Sequence, residues 1–565
     1  MGVINFSKTN CKHCYSCVRA CKVKAVKVKN DQAEILEERC IACGKCIKAC
    51  PKNAKEIESD VYVIKKFLED GETIAVSLAP SFVVAFETLS DKICGALKSI
   101  GFNYIEETAI GARLVNKVYE EYASRLDETC YITSCCPSLN ELIQKHHSEL
   151  IPNLVPVISP MACHGRLMKE KYGQDTKVVF IGPCIAKKNE AKEEDSIDAV
   201  MTFEELISLF QCKNIDLGKC EKIPLDAIAT KERIYPILGG ITDSMDKNKI
   251  KRELVHVHGM EQCLTVLKKI KNGRFKDRFI EMSLCDYGCI NGPAMPESEL
   301  IIQEKQQLIR KYANKDEKYA DSLEEFCNKI SMGKTFDAKL KPLKEPSEKE
   351  IREILENIGK YSSKDELNCG TCGYDTCRDK AVAVYNGMAE LTMCLPYMKQ
   401  KAENLSNVIF DITPTIVVVI NKKNDIVDLN PAAETFFKIK KKWAIGINLS
   451  ALMEVDMINE LIQSNENSIS KKAYLKEQNA TVLESIIKIK DSDSMLIVIN
   501  DFTETLNQEE KYQQMKINAV EVAQYVIDKQ MRVAQEIASL LGETTAETKV
   551  SLTKLKRLVQ GEEVD

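Results

Sequence analysis

Residues 133–137 read Thr-Ser-Cys-Cys-Pro, and two further cysteine segments follow, Gly-Pro-Cys-Ile-Ala-Lys-Lys-Asn-Glu at 182–190 and Cys-Asp-Tyr-Gly-Cys at 285–289. Each segment comes after a short apolar run, at 131–132, 178–181 and 279–282. Runs of this length that are rich in β-branched residues and end in Gly, Pro or Ser predict buried strands. Since helical patterns separate the runs, the sequence predicts β-α units with a mostly parallel sheet.

The three cysteine segments are expected to meet at one point. In open α/β sheets, ligands bind beyond the carboxyl ends of the strands, and each segment lies at such an end. The plain alternative is a set of unrelated buried thiols, because free cysteine is often a core residue. A doubled cysteine before proline, a Pro-Cys-x-x-Lys-x-x-Glu run and a Cys-x3-Cys pair argue against it. The pattern predicts four thiolates around one metal cluster: Cys136, Cys184, Cys285 and Cys289.

In this order and spacing, the segments resemble the three signature loops of the iron-only, or [FeFe], hydrogenases. In that family four cysteines hold a [4Fe-4S] cubane, and one of them bridges to a two-iron subsite with CO, cyanide and dithiolate ligands. The resemblance implies that the cubane is held by Cys136, Cys184 and Cys285, with Cys289 as the bridging ligand. It also implies that Cys135 passes protons to the subsite, that Lys187 hydrogen-bonds a cyanide ligand, and that Glu190 lies beside that lysine.

The proton route of the family is interrupted in this chain. That route runs from the relay cysteine through a serine and two glutamates to the surface. By alignment Glu107 keeps one glutamate, but Ile110 replaces the other and Val155 replaces the serine. Neither apolar side chain can give or take a proton. Two methionines that pack against the subsite are also replaced, by Gly182 and Ser283. We therefore expect slow turnover, with another route left open through Cys163 or ordered water.

Residues 1–60 contain two complete four-cysteine motifs with the spacing of a bacterial two-cluster ferredoxin. In such a domain the fourth cysteine of each motif binds the other cluster. The spacing predicts one cubane on Cys11, Cys14, Cys17 and Cys50, and a second on Cys40, Cys43, Cys46 and Cys21. This segment resembles the domains that feed electrons to hydrogenases, and two full motifs make a zinc site remote.

A third cysteine group lies in residues 346–402, which we treat as a separate module. Its spacing resembles small four-cysteine [4Fe-4S] modules of corrinoid proteins and membrane-complex electron carriers. The predicted ligands are Cys369, Cys372, Cys377 and Cys394, the last on a helix predicted over Ala381–Met393. A structural zinc knuckle is the alternative.

Residues 403–503 contain neither cysteine nor histidine. Two apolar runs, 416–420 and 426–429, flank a polar turn and predict paired strands, and a helix should open at Asn430-Pro431. A closing strand is expected at 495–501. The order resembles a PAS domain. Its composition excludes a histidine-ligated haem and a cysteinyl-flavin adduct, which leaves a non-covalently held flavin open.

Residues 504–565 are charged and helical in pattern. The heptad spacing of Ala519, Val526, Val533 and Leu540 indicates a short coiled coil, and a second helix is expected around Leu552 to Val559. A solvated terminal helix is the alternative. This tail has no histidine that could accept a phosphoryl group, so a kinase-like output would belong to a separate protein.

Composition sets the broad class. A chain of 565 residues is several domains long, and we assign 61–345 to the hydrogenase-like domain between the ferredoxin segment and the module. A net charge of −5 gives no support for nucleic-acid binding, and no apolar run is long enough to span a membrane. With 24 cysteines and a recurring Cys-x-x-Cys pattern, the chain is expected to be a reduced iron-sulfur protein of an anaerobic cytoplasm.

Three functions compete at this point. A metabolic hydrogenase would exchange electrons between H2, protons and a carrier such as ferredoxin. A sensory hydrogenase would report H2 or redox state through the PAS domain to a kinase, phosphatase or regulator, as a homodimer. An iron-sulfur scaffold protein would keep the cubane without the two-iron subsite. Because Cys135, Lys187 and Cys289 are intact and a signalling domain follows, the sequence favours the sensor.

Overall fold

The structure is a computed structural model that describes residues 2–6, 10–315, 329–464, 466–489, 492–541, 550, 551, 553 and 554. The chain divides into two compact units, Met1–Met398 and Lys399–Asp565. Across these described ranges, no helix is long and apolar enough to cross a membrane.

The first unit begins with two small antiparallel pairs of strands. Strand β1 (Ile4–Phe6) pairs with β4 (Lys55–Ile57), and β2 (Val26–Lys29) pairs with β3 (Gln32–Ile35). Two short helices, Ser16–Ala20 and Lys45–Lys48, each follow the first two cysteines of a motif and contain the third. The chain therefore crosses this region twice with the same strand and helix pattern, which brings the two cysteine motifs side by side.

Seven parallel strands form the scaffold of the hydrogenase-like domain, as the sequence predicts, but they form two sheets instead of one. The first sheet has the order β6-β5-β8-β9 and the second β10-β11-β7. Their bounds are β5 Ile74–Leu78, β6 Tyr104–Glu107, β7 Tyr131–Ile132, β8 Lys177–Gly182, β9 Ala199–Thr202, β10 Glu253–His258 and β11 Arg278–Ser283. All of β5 is buried, as expected where helices cover both faces of a parallel sheet.

Helices connect and cover these strands. Their bounds are Val61–Glu69, Phe82–Ala85, Ile93–Ile100, Ala109–Ser124, Pro137–His146, Pro160–Tyr172, Ala186–Ala191, Phe203–Cys212, Gly240–Ser244, Met260–Lys271 and Ile302–Ala313. A capping box opens helix Phe203–Cys212, because the Thr202 hydroxyl accepts from Glu205 N while the Glu205 carboxylate accepts from Thr202 N. Two of these helices begin at candidate ligands. Pro137–His146 starts directly after Cys135-Cys136, and Ala186–Ala191 starts two residues after Cys184.

The cysteine module contains helices Glu348–Glu356 and Cys377–Tyr385, and the chain then enters Leu395–Ile412. The helix predicted over Ala381–Met393 is wrong. The observed helix ends at Tyr385, where Asn386 and Gly387 follow, and Gly387 adopts a left-handed conformation at φ 66°. A short 3-10 helix, Leu391–Met393, then brings Cys394 back toward the other three cysteines.

The second unit is built on one antiparallel sheet with the order β13-β12-β16-β15-β14. The strands are β12 Ile416–Ile420, β13 Ile426–Leu429, β14 Ser468–Leu475, β15 Ala480–Lys488 and β16 Met495–Asp501. The helices are Pro431–Phe437, Lys441–Ala444, Asp456–Gln463 and Thr503–Leu541. The predicted cap is confirmed, because Asn430 Oδ1 accepts from Ala433 N and also from Val417 N in β12.

The tail is helical, as predicted, from Thr503 to Leu541 without a break. Apolar side chains on this helix, including Val522, Val526, Val533 and Ile537, are exposed within the unit. The second helix expected around Leu552 to Val559 falls almost wholly outside the described residues.

Candidate active site and iron-sulfur centres

The structure brings the four predicted cluster thiols together. Cys136 follows β7, Cys184 follows β8, and Cys285 and Cys289 follow β11, so all of them lie beyond carboxyl ends of parallel strands. Burial raises the pKa of Cys184 to about 11, with a further contribution from Cys136. Burial likewise raises the pKa of Cys289 to about 12, followed by Cys184 and Cys136. Burial therefore favours the neutral thiols, and a bound cation or cluster would be needed to hold them as thiolates.

A cavity of about 110 Å³ adjoins this set of thiols. Its polar wall includes Cys135, Cys184, Lys187 and Cys289, and its apolar wall includes Ala79, Pro80, Pro160 and Met161. Cys289 is exposed by surface area although its sulfur is surrounded by protein. We attribute that exposed surface to the cavity that it lines. The cavity thus joins the cluster thiols to a mostly apolar chamber.

Ser81 supplies an unpartnered donor at the same chamber. Ser81 lines the cavity and is only 1% exposed. Its hydroxyl has no hydrogen-bond partner among the described residues. A buried hydroxyl without a partner is costly unless a ligand satisfies it. Two-iron units with anionic cyanide ligands need donors of this kind, so the wall fits such a group. Sequence inspection missed this serine, although the strand end Ala79-Pro80-Ser81 was its signal.

Lys187 projects into the cavity and is held in place by two neighbours. Its Nζ donates to Glu190 Oε2 at 2.6 Å and to Ser159 Oγ at 2.9 Å. Burial opposes its charge, but Glu190 and the nearby thiols Cys184 and Cys135 outweigh burial, so the pKa of Lys187 is raised. The lysine is therefore a fixed cation at the cavity wall, and Glu190 lies beside it as predicted.

Glu107 occupies a different setting from that of a proton carrier. Arg233 Nε and Nη2 reach its carboxylate at 2.8–3.0 Å, Ala229 N donates to it at 2.8 Å, and the Tyr312 hydroxyl also donates. Ile110 and Val155 are buried apolar residues, at 1% and 0% exposure. The family's route through these positions is not formed, and Glu107 serves as the anion of a buried ion pair.

Glu281 holds the backbone of residues 239–242 and lies within electrostatic range of the Cys289 thiol. Its carboxylate accepts from Gly239 N at 2.8 Å and from Ile241 N and Thr242 N at 3.1 Å each. The backbone passes closely here, because a Cβ at Gly240 would lie 2.0 Å from the carbonyl oxygen of Ile234. Burial raises the pKa of Glu281 to about 7 against the opposing effect of these donors.

The ferredoxin cysteines separate into the two predicted sets. One cavity is lined by Cys11, Cys14, Cys17 and Cys50. The thiol of Cys46 lies within electrostatic range of those of Cys43, Cys40 and Cys21, which form the other set. Backbone N–H groups also point at ligand sulfurs, from Ala25 to Cys21 at 3.2 Å and from Ala54 to Cys50 at 3.3 Å. Such donors stabilise cluster thiolates and tune reduction potentials.

The module repeats this arrangement, since one cavity is lined by all of Cys369, Cys372, Cys377 and Cys394. The module packs on the ferredoxin segment: Arg19 Nη1 donates to Thr371 O at 2.9 Å, and Lys24 Nζ donates to Gly373 O at 2.7 Å. At the other end of the ferredoxin segment, Cys43 is close enough to influence the pKa of Cys285. The sets therefore form a connected series from the active site outward.

No disulfide links the cysteines that the structure describes. Among the same residues, no three His, Cys, Asp or Glu side chains converge as closely as ligands of a single metal ion do. A cubane takes each of its four thiolates on a different iron, so its ligands stand farther apart than those of one ion.

Comparison with known proteins agrees with this site. Residues 72–293 match the model for the iron only hydrogenase large subunit, C-terminal domain, residues 10–54 match a 4Fe-4S dicluster domain, and residues 365–396 match an Fe-S cluster model. The fold and the thiol sets together define a hydrogenase-like iron-sulfur protein.

Individual relatives carry three different names. The chain is 28% identical over 371 residues to iron hydrogenase 1 of Clostridium pasteurianum, covering 52% of this chain and 65% of that protein. It is 24% identical over 297 residues to cytosolic iron-sulfur assembly component 3 of Bos taurus, covering 40% and 62%. It is 22% identical over 293 residues to nuclear prelamin A recognition factor of Xenopus laevis, covering 40% and 64%. The chain thus spans slightly under two thirds of the length of each of these relatives.

Parts of the chain are also similar to solved structures. An [FeFe]-hydrogenase of Chlamydomonas reinhardtii matches at a TM-score of 0.40 and 16% identity, covering 49% of this chain and 99% of that one. A PAS domain of nitrogen regulation protein NR(II) from Vibrio parahaemolyticus matches at a TM-score of 0.16 and 19% identity, covering 17% and 97%.

Proposed function

We propose that this protein is a sensory [FeFe]-hydrogenase that interconverts H2 with two protons and two electrons slowly and reversibly. The observation that carries the proposal is the cavity wall. The Cys135 thiol, the charged Lys187 side chain and the unpartnered Ser81 hydroxyl all line one cavity, which adjoins the four candidate cluster thiols. A scaffold protein that holds only a cubane has no use for these groups at that wall.

The residues present fit an H-cluster. A bound two-iron subsite would supply the metal centre at which H2 is split or formed. Cys136, Cys184, Cys285 and Cys289 would hold the cubane and its bridge. Lys187 Nζ and Ser81 Oγ would hydrogen-bond anionic ligands at the wall, and Cys135 Sγ would hold the proton that enters or leaves the reaction.

Three further [4Fe-4S] clusters would carry the electrons, two on the ferredoxin cysteines and one on the module. The order of the cysteine sets supports this path, because Cys43 lies near Cys285 while the module contacts the ferredoxin segment through Arg19 and Lys24. A soluble carrier such as ferredoxin would exchange electrons at the outer end of the series.

The second unit supports the sensory form of the proposal. Its five-stranded antiparallel sheet, its helix capped by Asn430 and its long following helix are the arrangement expected of a PAS domain with an output helix. We assign it the role of passing the state of the active site to a kinase, phosphatase or regulator, as a homodimer. A non-covalent flavin in this domain belongs to the same proposal.

Two alternatives remain distinct from it. A metabolic hydrogenase would share the site but turn over fast. Fast turnover needs rapid proton transfer, and the buried apolar side chains of Ile110 and Val155 cannot carry protons. An iron-sulfur assembly protein is favoured by the relatives with that name. It would bind the cubane without reacting with H2.

The deciding experiment matures the protein anaerobically with a two-iron subsite and measures H2 uptake, H2 evolution and the infrared bands of CO and cyanide. We expect both bands, measurable but slow turnover in both directions, and bands that shift under H2. Absence of bound CO and cyanide after maturation would favour the assembly protein. Turnover as fast as that of metabolic enzymes would favour the metabolic hydrogenase.

A further inference from the structure

A chain of buried polar groups leads away from the active-site cavity through the first parallel sheet. It begins at Thr108, which lines the cavity together with Cys135. Thr108 Oγ1 lies 2.8 Å from Ser77 Oγ, and Ser77 Oγ lies 2.9 Å from His164 Nδ1. These groups are buried, Ser77 and His164 completely so. The contacts therefore extend from the cavity wall into the core of the domain.

The second half of the chain connects His164 to solvent. His164 Nε2 lies 3.1 Å from Oε2 of Glu106, which is also fully buried. Oε1 of Glu106 accepts from Lys171 Nζ and from the Tyr172 hydroxyl, each at 2.5 Å. The Lys171 side chain is 24% exposed, so the contacts reach water at this point.

A purely structural role explains only part of this arrangement. A buried neutral imidazole paired with Glu106 would be satisfied by that carboxylate and by one donor to its other ring nitrogen. Ser77 stands in a fully buried strand, where a hydroxyl is costly unless it is hydrogen-bonded. Its Oγ contacts a polar group on each side, Thr108 Oγ1 and His164 Nδ1. Every internal member also offers two separate sites, a rotatable hydroxyl, two ring nitrogens or two carboxylate oxygens, which proton transfer along a chain requires.

We infer that protons move between the cavity and the surface along this chain, named the histidine relay and made of Thr108, Ser77, His164, Glu106 and Lys171. The inference rests on the proposed function, because protons must leave the cavity only if H2 reacts there. It supplies a route in a chain whose Ile110 and Val155 close the family's route.

Each transfer along the relay moves one proton between neighbouring heavy atoms. Outward, a proton taken up at Thr108 Oγ1 releases the Thr108 hydroxyl proton to Ser77, and the Ser77 hydroxyl proton passes to His164 Nδ1. The imidazolium then gives its Nε2 proton to Oε2 of Glu106. A half-turn of the carboxyl group brings that proton to the side of Lys171, whose Nζ accepts it after releasing one proton to water. One proton enters and one leaves, and no electron moves along the relay. Hydroxyl rotation and return of the imidazole to its first tautomer restore the start.

The charge state of Glu106 agrees with this role. Burial opposes ionisation, but the hydrogen bond and charge of His164 and then those of Lys171 outweigh it, lowering the pKa of Glu106 to about 2. An ionised carboxylate is the acceptor that an imidazolium needs. Because the pKa is low, Glu106 passes a proton on and does not store it. The Tyr172 hydroxyl on the same oxygen and Lys171 are the other titratable groups facing this pair.

The test replaces the central hydroxyl and the ring in the full-length matured protein: Ser77→Ala and His164→Gln. The readout that does not depend on turnover is the rate at which the infrared S–H band of Cys135 shifts to S–D after mixing with D2O. We expect a slowing of about tenfold or more in both variants, since a positioned proton carrier contributes on the order of 10²–10⁴-fold. Ser77→Thr, which restores the hydroxyl, should recover most of the rate.

Ser196→Ala is the matched control. Ser196 is also a buried serine packed on helix Pro160–Tyr172, donating to Ala162 O at 3.3 Å, but it lies outside the relay. It should exchange at the wild-type rate, with iron content and unfolding midpoint confirming that all variants fold. Exchange at the wild-type rate in Ser77→Ala and His164→Gln, or equal slowing in the control, would overturn the relay. Failure of wild type to react with H2 would instead overturn the proposed function, since the exchange rates are measured without H2.

Discussion

Glu106 and Glu107 are neighbours in one strand whose carboxylates point to opposite faces of the sheet. Glu106 meets His164 at 3.1 Å, and Glu107 meets Arg233 at 2.8 Å. The alternation of a strand requires this separation, because successive side chains leave on opposite sides. One carboxylate therefore joins a chain of groups that exchange protons, and the other neutralises a guanidinium that never loses its proton.

Glu107→Gln should consequently lower stability without slowing proton exchange. Arg233 is 1% exposed, and removing one partner of a buried ion pair costs about 3–5 kcal/mol. We expect the urea midpoint of unfolding to fall while the Cys135 S–H exchange rate stays at the wild-type value. Glu121→Gln, at an exposed pair with Arg125, is the control and should change stability little. Slowed exchange at unchanged stability would return Glu107 to the proton path.

Glu281 should make stability depend on pH in the neutral range. Its pKa rises from an ordinary value of 4.5 to about 7 in the folded protein, first because of burial. The folded state then keeps a proton that the unfolded state loses, so stability falls as pH rises from about 4.5 to 7. The full effect is on the order of 3 kcal/mol.

The measurement is the free energy of unfolding of wild type and Glu281→Gln between pH 5 and pH 8. Gln cannot ionise, so this contribution should disappear from the pH dependence of the variant. We also expect Glu281→Gln to be less stable at every pH, because one amide oxygen cannot accept from all of Gly239, Ile241 and Thr242. Parallel pH curves for the two proteins would show that Glu281 is ionised throughout.

The cysteine sets could be predicted from sequence because ligand spacing is mostly local. Motifs such as 11–21 and 40–50 carry three ligands on one loop, and even the exchange of Cys21 and Cys50 follows from the motif type. The histidine relay could not be predicted in this way. Its members lie on different strands and a helix, so only the packing of β5 against β6 and helix Pro160–Tyr172 brings Ser77, Glu106 and His164 together. The sequence points to Cys163 as part of another proton route, but the residue that joins the relay is its neighbour His164.

The strand count shows the same limit. Parallel strands were predicted from apolar runs that end in Gly, Pro or Ser, and those runs are strands. That they form two sheets depends on long-range pairing, β7 beside β11 and β8 beside β5, which no local pattern encodes. The helix predicted over Ala381–Met393 is wrong because Asn386-Gly387 is a stop signal that ends the observed helix at Tyr385.

Cys135 and Cys136 should differ sharply when substituted. Cys136→Ser is expected to lower the iron content and prevent the two-iron subsite from docking, because a cluster ligand is lost. Cys135→Ala should keep the iron content and the CO and cyanide bands while losing most turnover, since only a proton carrier is removed. Iron analysis and infrared spectra of the matured proteins distinguish the two. Loss of cluster iron in Cys135→Ala would show that this thiol is a ligand.

The module should hold one cubane of its own, out of roughly sixteen irons in four clusters. Removal of the module by truncation would expose the ferredoxin surface that Thr371 and Gly373 cover, so substitution is the cleaner test. Cys372→Ala/Cys377→Ala should lose about four irons per chain. Cys212→Ala, at an exposed cysteine elsewhere, should lose none. Loss of one zinc in place of four irons would establish the zinc knuckle.

The helix Thr503–Leu541 should hold two copies of the chain together. Its heptad positions Val526 and Val533 are 49% and 42% exposed, and valine at such positions packs well in two-stranded coiled coils. Val526→Asp/Val533→Asp places charges in that seam and should convert a dimer into a monomer by sedimentation equilibrium.

Gln514→Asp/Gln535→Asp adds the same charge two positions after heptad positions, on the exposed side, and should remain dimeric. Because the four candidate cluster cysteines Cys136, Cys184, Cys285 and Cys289 all lie within Met1–Met398, both double variants should keep the wild-type rate of H2 conversion per active site. What the monomeric variant should lose is the response of a downstream partner to H2, since a seam between two helices is the element that a sensor can bias. A monomeric wild type, or a Val526→Asp/Val533→Asp protein that stays dimeric, would show that this helix is a solvated tail and would leave the sensory proposal without its output element.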